Sequence, residues 1–312
     1  MTETDITIPT AGLELRGTLT TAGPDPAPAA LLISGSGPID RDSNTKRLRL
    51  DVMAQIAHHL AAEGIASLRY DKRGVGASQG DYHAAGLYDN IADAQAACAV
   101  LRDRPEIDAD RVVVIGHSEG ALIASELAAD ADLAGVVLLA GAAQNGKAVL
   151  RWQARQVAPT LPKPVQWLMK LLRQDLVRTQ TKRLEKIEAS TDDVIRMQFV
   201  KLNAKWFREF MAFEPAQALQ RAAVPVLAIT GSKDIQVDPA DIAIMERAVS
   251  TPFTGHVLDD LTHLLRTEAG PASVRTYKKQ VRRPIDGRVL ELITEWTANH
   301  ARKRNGAGHG MG

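Results

Sequence analysis

One serine of this chain lies in a context that could make it a nucleophile. Residues 112–115 are four β-branched side chains in a row, and they lead directly into residues 116–120, Gly-His-Ser-Glu-Gly. An Ala-rich stretch with helical spacing follows. A Gly-x-Ser-x-Gly between a buried strand and a helix is typical of a nucleophile elbow, a strained turn that exposes the serine hydroxyl. We therefore predict that Ser118 is a nucleophile.

A serine hydroxyl needs a base that removes its proton and a carboxylate that orients this base. In hydrolases with such a turn, the acid and then the histidine follow the serine along the chain. Asp234 comes directly after a predicted strand, and His263 comes after the next strand. Because ligands and reactive groups gather at the carboxyl ends of parallel strands, we expect both side chains near Ser118. Ser118, Asp234 and His263 are the predicted triad.

Other histidines and carboxylates fit this arrangement less well. His83 precedes the serine in sequence, His117 leaves the turn in another direction, and His256 lies at or within a strand. The histidines in a helix or near the C-terminal end are His58, His59, His300 and His309. Carboxylates next to Asp234 begin the following helix, and those next to His263 are too close along the chain to orient it. These competing carboxylates are Asp238, Asp241, Asp259 and Asp260.

The oxyanion that forms during acyl transfer needs two backbone N–H donors. We expect one of them from Glu119, the residue after the nucleophile. The other is expected from residues 34–38, Ser-Gly-Ser-Gly-Pro, whose small side chains let the backbone approach a substrate. The N–H of Ser36 is the favoured donor and that of Gly37 the next, although the same run is also typical of an ordinary tight turn.

The elements that must position these residues alternate along the chain. Buried strands alternate with helices, which predicts an α/β fold with a mostly parallel central sheet and helices on both faces. A β-hairpin at residues 6–20 precedes them. The predicted strands are residues 29–33, 65–70, 112–115, 135–139, 225–230 and 255–258. The predicted helices are residues 48–62, 87–104, 122–129, 239–249 and 289–301.

A block without convincing strands interrupts this alternation. Its predicted helices are residues 147–157, 165–173, 192–213 and 215–222. We therefore predict a hydrolase-like core from residues 1–143 and 224–303, with a helical insertion at residues 144–223. Residues 304–312 are Gly-rich and follow a basic stretch, and they are predicted to be a flexible tail.

Three segments together resemble the α/β-hydrolase superfamily. They are residues 34–38 with Asp-Arg-Asp at 40–42, residues 70–78 (YDKRGVGAS) and residues 116–120. The chain is most similar to bacterial lidded esterases grouped with serine aminopeptidase-like hydrolases, over nearly its whole length. This resemblance implies the α/β-hydrolase fold with a helical lid, and neither a metal nor an organic cofactor. The chain departs from the commoner His-Gly-x-Gly oxyanion pattern by having Ser34 at the histidine position.

Charged residues around these motifs are interpreted as structural. Asp71 and Arg73 are expected to brace their own loop. Arg41 and Asp42 could reach the mouth of the site, but engagement in a surface salt bridge is the favoured interpretation for them. Basic residues in the insertion are expected to form a solvated helix face, and they are Arg178, Lys182, Arg183 and Lys186.

The insertion carries more than half of the aromatic residues, seven of thirteen in about a quarter of the length. These seven are Trp152, Trp167, Phe199, Trp206, Phe207, Phe210 and Phe213. Placed above the strand ends, they could roof an apolar acyl pocket, with Trp206, Phe207 and Phe210 as its wall. The alternative is that these rings pack the insertion's own core.

Composition excludes several other classes of protein. A formal net charge of +1 gives no reason to expect a nucleic-acid partner. The single cysteine, Cys98, cannot form a disulfide within the chain, and no segment has the length and hydrophobicity of a membrane span. Residues 1–10 lack the basic and apolar regions of a signal peptide, so we expect a cytoplasmic protein. The oligomeric state is left open.

Together, these patterns predict a serine carboxylesterase that acts on a small-molecule ester. Several prolines break the insertion into short helices, and its rings are clustered, which favours a compact roof and short acyl chains. The prolines are Pro159, Pro162, Pro164 and Pro215. A peptidase, amidase, thioesterase or lactonase could use the same triad, and a non-catalytic binding protein could keep the same fold.

Overall fold

A computed structural model describes residues 1–21, 23, 26–164, 167, 176–197 and 199–300 of the 312-residue chain. The strands are β1 (Thr2–Thr10), β2 (Leu13–Thr21), β3 (Ala27–Ile33), β4 (Ala66–Tyr70), β5 (Ile107–His117), β6 (Gly135–Leu139), β7 (Val194–Met197), β8 (Val200–Asn203), β9 (Val226–Gly231) and β10 (Phe253–Leu258). The helices are α1 (Val52–Ala62), α2 (Leu87–Arg102), α3 (Glu119–Leu127), α4 (Gly146–Val157), α5 (Leu176–Glu188), α6 (Ala204–Ala212), α7 (Pro215–Gln220), α8 (Asp241–Ala248), α9 (Tyr277–Gln280) and α10 (Gly287–His300).

Eight of the strands form one sheet in the order β1-β2-β4-β3-β5-β6-β9-β10. β1 and β2 form an antiparallel hairpin, and β2 is also antiparallel to β4. The neighbours from β4 to β10 are parallel. The predicted α/β class with a mostly parallel sheet is therefore confirmed, and the carboxyl ends of β3, β4, β5, β9 and β10 meet at one edge.

The sequence of β5 explains why helices cover both faces of this sheet. Successive side chains of a strand point to opposite faces, so a run of four apolar residues supplies two cores at once. Val112 and Val114 pack in the core beneath α2 and α3. Val113 and Ile115 pack in the opposite core with α1 and α10. Burial on both faces fixes β5 at the centre, and the elbow follows directly at its end.

The segment between β6 and β9 contains α4 to α7 together with the β7–β8 pair. The expectation that it has no strand is wrong, and so is the predicted helix at 192–213, because β7 and β8 form an antiparallel pair there. Phe199 adopts a φ of +66°, which a helix cannot accommodate. The helix starts later, where the side chain of Asn203 accepts a hydrogen bond from the backbone N–H of Trp206.

Two sequence-based predictions fall mostly on residues that the structure does not describe. The predicted helix at 165–173 lies outside the described residues apart from Trp167, and the predicted tail at 304–312 lies outside them entirely. The predicted solvated basic face is confirmed, because its four residues lie on α5 and are exposed.

Candidate active site

The backbone of the elbow holds Ser118 in a conformation that few residues adopt. Ser118 has φ +57° and ψ −114°, between the end of β5 and the start of α3. A Cβ added at Gly116 would lie 1.9 Å from the carbonyl oxygen of Gly120. One added at Gly120 would lie 2.1 Å from the carbonyl oxygen of Ile33. Both glycines are therefore required for the strand, the turn and the helix to pass this close to each other.

The three predicted triad residues lie in one line of hydrogen bonds. His263 Nδ1 donates to Asp234 Oδ2 at 2.8 Å, because a carboxylate oxygen can only accept. This leaves His263 Nε2 as the acceptor for the Ser118 hydroxyl, with 3.1 Å between Nε2 and Oγ. Asp234 follows β9 and His263 follows β10, so the strand ends bring together residues that are far apart in sequence.

The carboxylate of Asp234 is held on both of its oxygens. Its Oδ1 accepts hydrogen bonds from the backbone N–H of Gln236 at 2.7 Å and of Val237 at 2.9 Å. Only 3% of Asp234 and 4% of His263 is exposed to solvent. Two backbone donors thus fix the rotation of the carboxylate, so that Oδ2 faces the imidazole of His263.

A second histidine, His117, supports the loop that carries His263. Its Nε2 lies 2.9 Å from the backbone carbonyl oxygen of His263, so this nitrogen carries a proton and donates it. Burial, followed by the nearby imidazole of His263, lowers the pKa of His117 to about 3. His117 is therefore neutral at ordinary pH, and it contributes a hydrogen bond without adding a positive charge beside His263.

The predicted oxyanion donors lie next to the serine. Ser36 and Glu119 line the same cavity as Ser118 and His263. Within the described part of the chain, neither backbone N–H donates to a protein acceptor, so both are free to bind an oxygen. A Cβ added at Gly35 would lie 3.2 Å from the Cβ of Ser118, which shows how closely this loop approaches the elbow.

The cavity beside Ser118 is small, about 80 Å³, and mostly apolar. Trp206 and Phe210 of α6 form part of its wall, and their rings are stacked with centroids 4.8 Å apart. Phe207 lines an adjoining cleft of about 330 Å³, which shares Ser36 and Trp206 with this cavity. Phe207 is absent from the described lining of the cavity beside Ser118.

Comparison with known proteins identifies the family. Residues 49–270 match the family described as serine aminopeptidase, S33. The chain belongs to this family. One relative, the esterase EstD from Thermotoga maritima, is 30% identical to this chain over 277 residues. That alignment covers 88% of this chain and 63% of EstD, so the chain spans less than two thirds of the relative's length.

Solved structures share the fold of this S33-family chain. Est1E from Butyrivibrio proteoclasticus, with bound ferulic acid, has a TM-score of 0.63 and 16% identity, covering 95% of this chain and 98% of that one. The α/β-hydrolase GrgF from Penicillium sp. sh18 has a TM-score of 0.65 and 17% identity, covering 96% and 99%. At such identities the likeness shows the fold alone, which is the α/β-hydrolase fold.

Sequence reasoning missed a buried polar network on the S33-family elbow. The sequence predicted a role only for the backbone N–H of Glu119. In the structure, this residue is 3% exposed, and both oxygens of its carboxylate accept hydrogen bonds. Glu119 Oε2 accepts from Lys72 Nζ at 2.9 Å. Glu119 Oε1 accepts from Asn90 Nδ2 at 2.8 Å and from Trp206 Nε1 at 3.0 Å. Burial of an acidic residue at this position was not visible in the pattern around it.

The charged residues of the neighbouring loops do brace the site. Asp71 accepts from the backbone N–H of Ala77 in its own loop at 3.1 Å, as expected, and it also pairs with Arg41 at 2.8 Å. Arg73 reaches further than its own loop and pairs with Asp93 of α2 at 2.8 Å. Arg41 and Asp42 form salt bridges, as favoured, but with buried partners: Asp42 binds Arg69 at 2.6 Å.

The hydroxyl of Ser34, at the position where a histidine is common, lies 3.0 Å from the hydroxyl of Ser43, so Ser34 stabilises its own loop.

Among the helices that the structure describes, none has the length and apolar character needed to cross a membrane.

Proposed function

We propose that this protein is a serine carboxylesterase in which Ser118, His263 and Asp234 form the catalytic triad. The observation that carries the proposal is the line of hydrogen bonds from Asp234 through His263 to Ser118, which ends at an apolar cavity. The similarity to the esterase from Thermotoga maritima supports the same reaction class.

The arrangement supports an acyl-enzyme mechanism. Ser118 Oγ attacks the ester carbonyl while His263 Nε2 takes the hydroxyl proton, and the same proton then passes to the departing alkoxide. A water molecule, deprotonated by His263, attacks the acyl-enzyme and releases the carboxylic acid together with free Ser118. The Asp234 carboxylate stabilises the imidazolium that exists between these proton transfers.

The negative charge that develops on the carbonyl oxygen is met by backbone donors. The N–H groups of Ser36 and Glu119 are free and border the cavity, so they are the proposed oxyanion hole. Glu119 is the first residue of α3, and the positive end of this helix dipole adds to the stabilisation.

Residues 144–223 serve as a lid in this proposal, and α6 is its fixed part. The Asn203 side chain, at the start of α6, donates to the backbone carbonyl of Ala85 at 2.7 Å. Lys205 pairs with Asp89 of α2, also at 2.7 Å. Because these contacts attach α6 to the core, Trp206 is held in place as part of the cavity wall.

The family's description raises an aminopeptidase as the second candidate, and the cavity favours the esterase. An aminopeptidase must hold the ammonium group of a peptide N-terminus, which calls for a free carboxylate. Among the described residues that line the cavity, Glu119 is the single carboxylate. Its charge is already balanced by Lys72, and it also accepts hydrogen bonds from Asn90 and Trp206, so it is not a free carboxylate for a substrate cation.

The size of the cavity supports a preference for short acyl chains. A water-sized group needs about 10–15 Å³ of such volume, so 80 Å³ holds about five to eight of them. Each methylene buried here contributes about 0.8 kcal/mol until the cavity is full. We therefore expect kcat/KM to be highest for acyl groups of about two to six carbons.

A series of aryl esters with acyl chains from about two to about sixteen carbons tests this preference, with matched amides and thioesters as controls. Phe210→Leu is expected to move the optimum to longer chains, by about one carbon, because it removes ring atoms from the cavity wall. Phe207→Leu is the matched control on the same helix, and it should leave the optimum where it is because Phe207 lines the other cleft.

Two outcomes would contradict parts of this proposal. A kcat/KM that keeps rising beyond about ten carbons would mean that the lid opens a long groove. Faster cleavage of aminoacyl amides than of the matching esters would favour the aminopeptidase.

A further inference from the structure

A buried lysine joins the two loops that carry the proposed oxyanion donors. Lys72 follows β4, the neighbour of β3 in the sheet, and only 5% of it is exposed. Its Nζ donates to the backbone carbonyl of Gly35 at 2.6 Å and to Glu119 Oε2 at 2.9 Å. Gly35 follows β3 and Glu119 follows β5, so the lysine spans the ends of three adjacent strands.

The contact with Gly35 acts on the donor group of Ser36. The carbonyl of Gly35 and the N–H of Ser36 belong to the same peptide unit, and in a trans peptide they point in opposite directions. A cation held on the carbonyl oxygen therefore fixes the direction of the N–H. It also polarises the amide, which strengthens this N–H as a donor in a water-poor site.

The contact with Glu119 acts on the second donor. The carboxylate of Glu119 is held by Lys72, by Asn90 of α2 and by Trp206 of α6. These three contacts fix the first turn of α3, whose first N–H is the other proposed donor. The tie to Trp206 also connects this turn to the cavity wall.

We propose that Lys72 is a positioning residue that sets the direction and strength of the oxyanion hole through the Gly35–Ser36 peptide and through Glu119. The inference rests on the proposed esterase function. Lys72 is absent from the described lining of the cavity, so it acts on the reaction through these two groups and without touching the substrate.

The test is the double variant Lys72→Met with Glu119→Gln. Removing the lysine alone would leave the buried carboxylate of Glu119 without the cation that balances its charge, which could prevent folding. In the double variant the pair is neutral, and the glutamine oxygen can still accept from Asn90 and Trp206. We expect kcat to fall by about 10- to 100-fold, less than for complete loss of one donor, with KM changed by less than about twofold.

An inhibitor pair separates positioning from a general structural effect. A trifluoromethyl ketone forms a hemiketal oxyanion with Ser118, whereas the matching methyl ketone binds without one. The inhibition constant of the fluorinated ketone should rise by the same factor by which kcat/KM falls, and that of the methyl ketone should stay constant. A loss of both affinities together would indicate structural damage and would overturn the proposal.

Arg104→Met is the control, since it also replaces an ion-paired cation with methionine, but at the end of β5 opposite to Ser118. Its partner Glu106 is partly exposed to solvent, so no buried charge is left alone. This control should keep wild-type kcat. If the double variant also keeps wild-type kcat, the proposal for Lys72 is overturned. If Ser118→Ala keeps activity as well, the esterase assignment itself fails, and the two failures are thereby distinguished.

Discussion

Replacing Ser118 with alanine is expected to lower kcat by a factor on the order of 10⁴ or more while the protein remains folded. The hydroxyl is the proposed attacking group, and its contact is a single hydrogen bond with His263. The strained φ of +57° is the same for serine and alanine, so the change adds no backbone strain. Ester hydrolysis under saturating substrate, together with Tm, measures both effects.

Ser125→Ala is the control for this change. Ser125 lies on α3, the helix that begins directly after Ser118. It is 1% exposed, and its hydroxyl donates a hydrogen bond to the backbone carbonyl of Leu122 at 2.7 Å. It has no contact with the triad, so kcat should stay at the wild-type value. A Ser118→Ala protein with more than about a tenth of wild-type kcat would rule out Ser118 as the nucleophile.

The second large effect is expected from Asp234→Asn, a loss of about 10⁴-fold in kcat. The backbone N–H groups of Gln236 and Val237 both point at one oxygen of this side chain. They will keep the amide oxygen of asparagine on their side, so the NH₂ group faces His263 Nδ1. The imidazole must then accept at Nδ1 and carry its proton on Nε2, where it cannot take the proton of Ser118.

Nitrogen NMR of the imidazole tests this explanation directly. The wild type should carry its proton on Nδ1 of His263, and the variant should carry it on Nε2. Asp241→Asn is the control, because Asp241 is equally buried and also binds two amide donors, at residues 143 and 144. It should lower Tm without changing kcat. An Asp234→Asn protein with wild-type kcat would remove Asp234 from the triad.

The positions of the proposed nucleophile, acid and base could be inferred from the sequence because each depends on a local signal. Ser118 has a strand before it and a helix after it, and both are encoded within about twenty residues. Asp234 and His263 each follow a strand directly. Since parallel strands present their carboxyl ends at one edge, the chain order was enough to bring the three side chains together.

The network around Glu119 could not be inferred, because it depends on contacts between distant parts of the chain. Lys72 and Glu119 are 47 residues apart, and Glu119 and Trp206 are 87 apart. A lysine after a strand and a glutamate at the start of a helix are ordinary exposed residues in most proteins. Only the packing of α2, α3 and α6 turns them into a buried pair.

The insertion was the hardest part to predict for a related reason. Val194 and Val200 favour extended structure, but the apolar spacing around them also fits a helix, and short apolar runs do not separate the two. The cap at Asn203 was the available signal for where α6 starts.

The central claim, that Ser118 is the nucleophile of an esterase, is tested most directly by labelling with a fluorophosphonate. Intact-mass and peptide mass spectrometry would count and locate the adduct while residual esterase activity is followed in the same sample. The proposal predicts one adduct per chain, on Ser118, with activity lost in proportion to labelling. Full labelling of Ser118 with activity retained, or complete inactivation with the adduct on another residue, would contradict it.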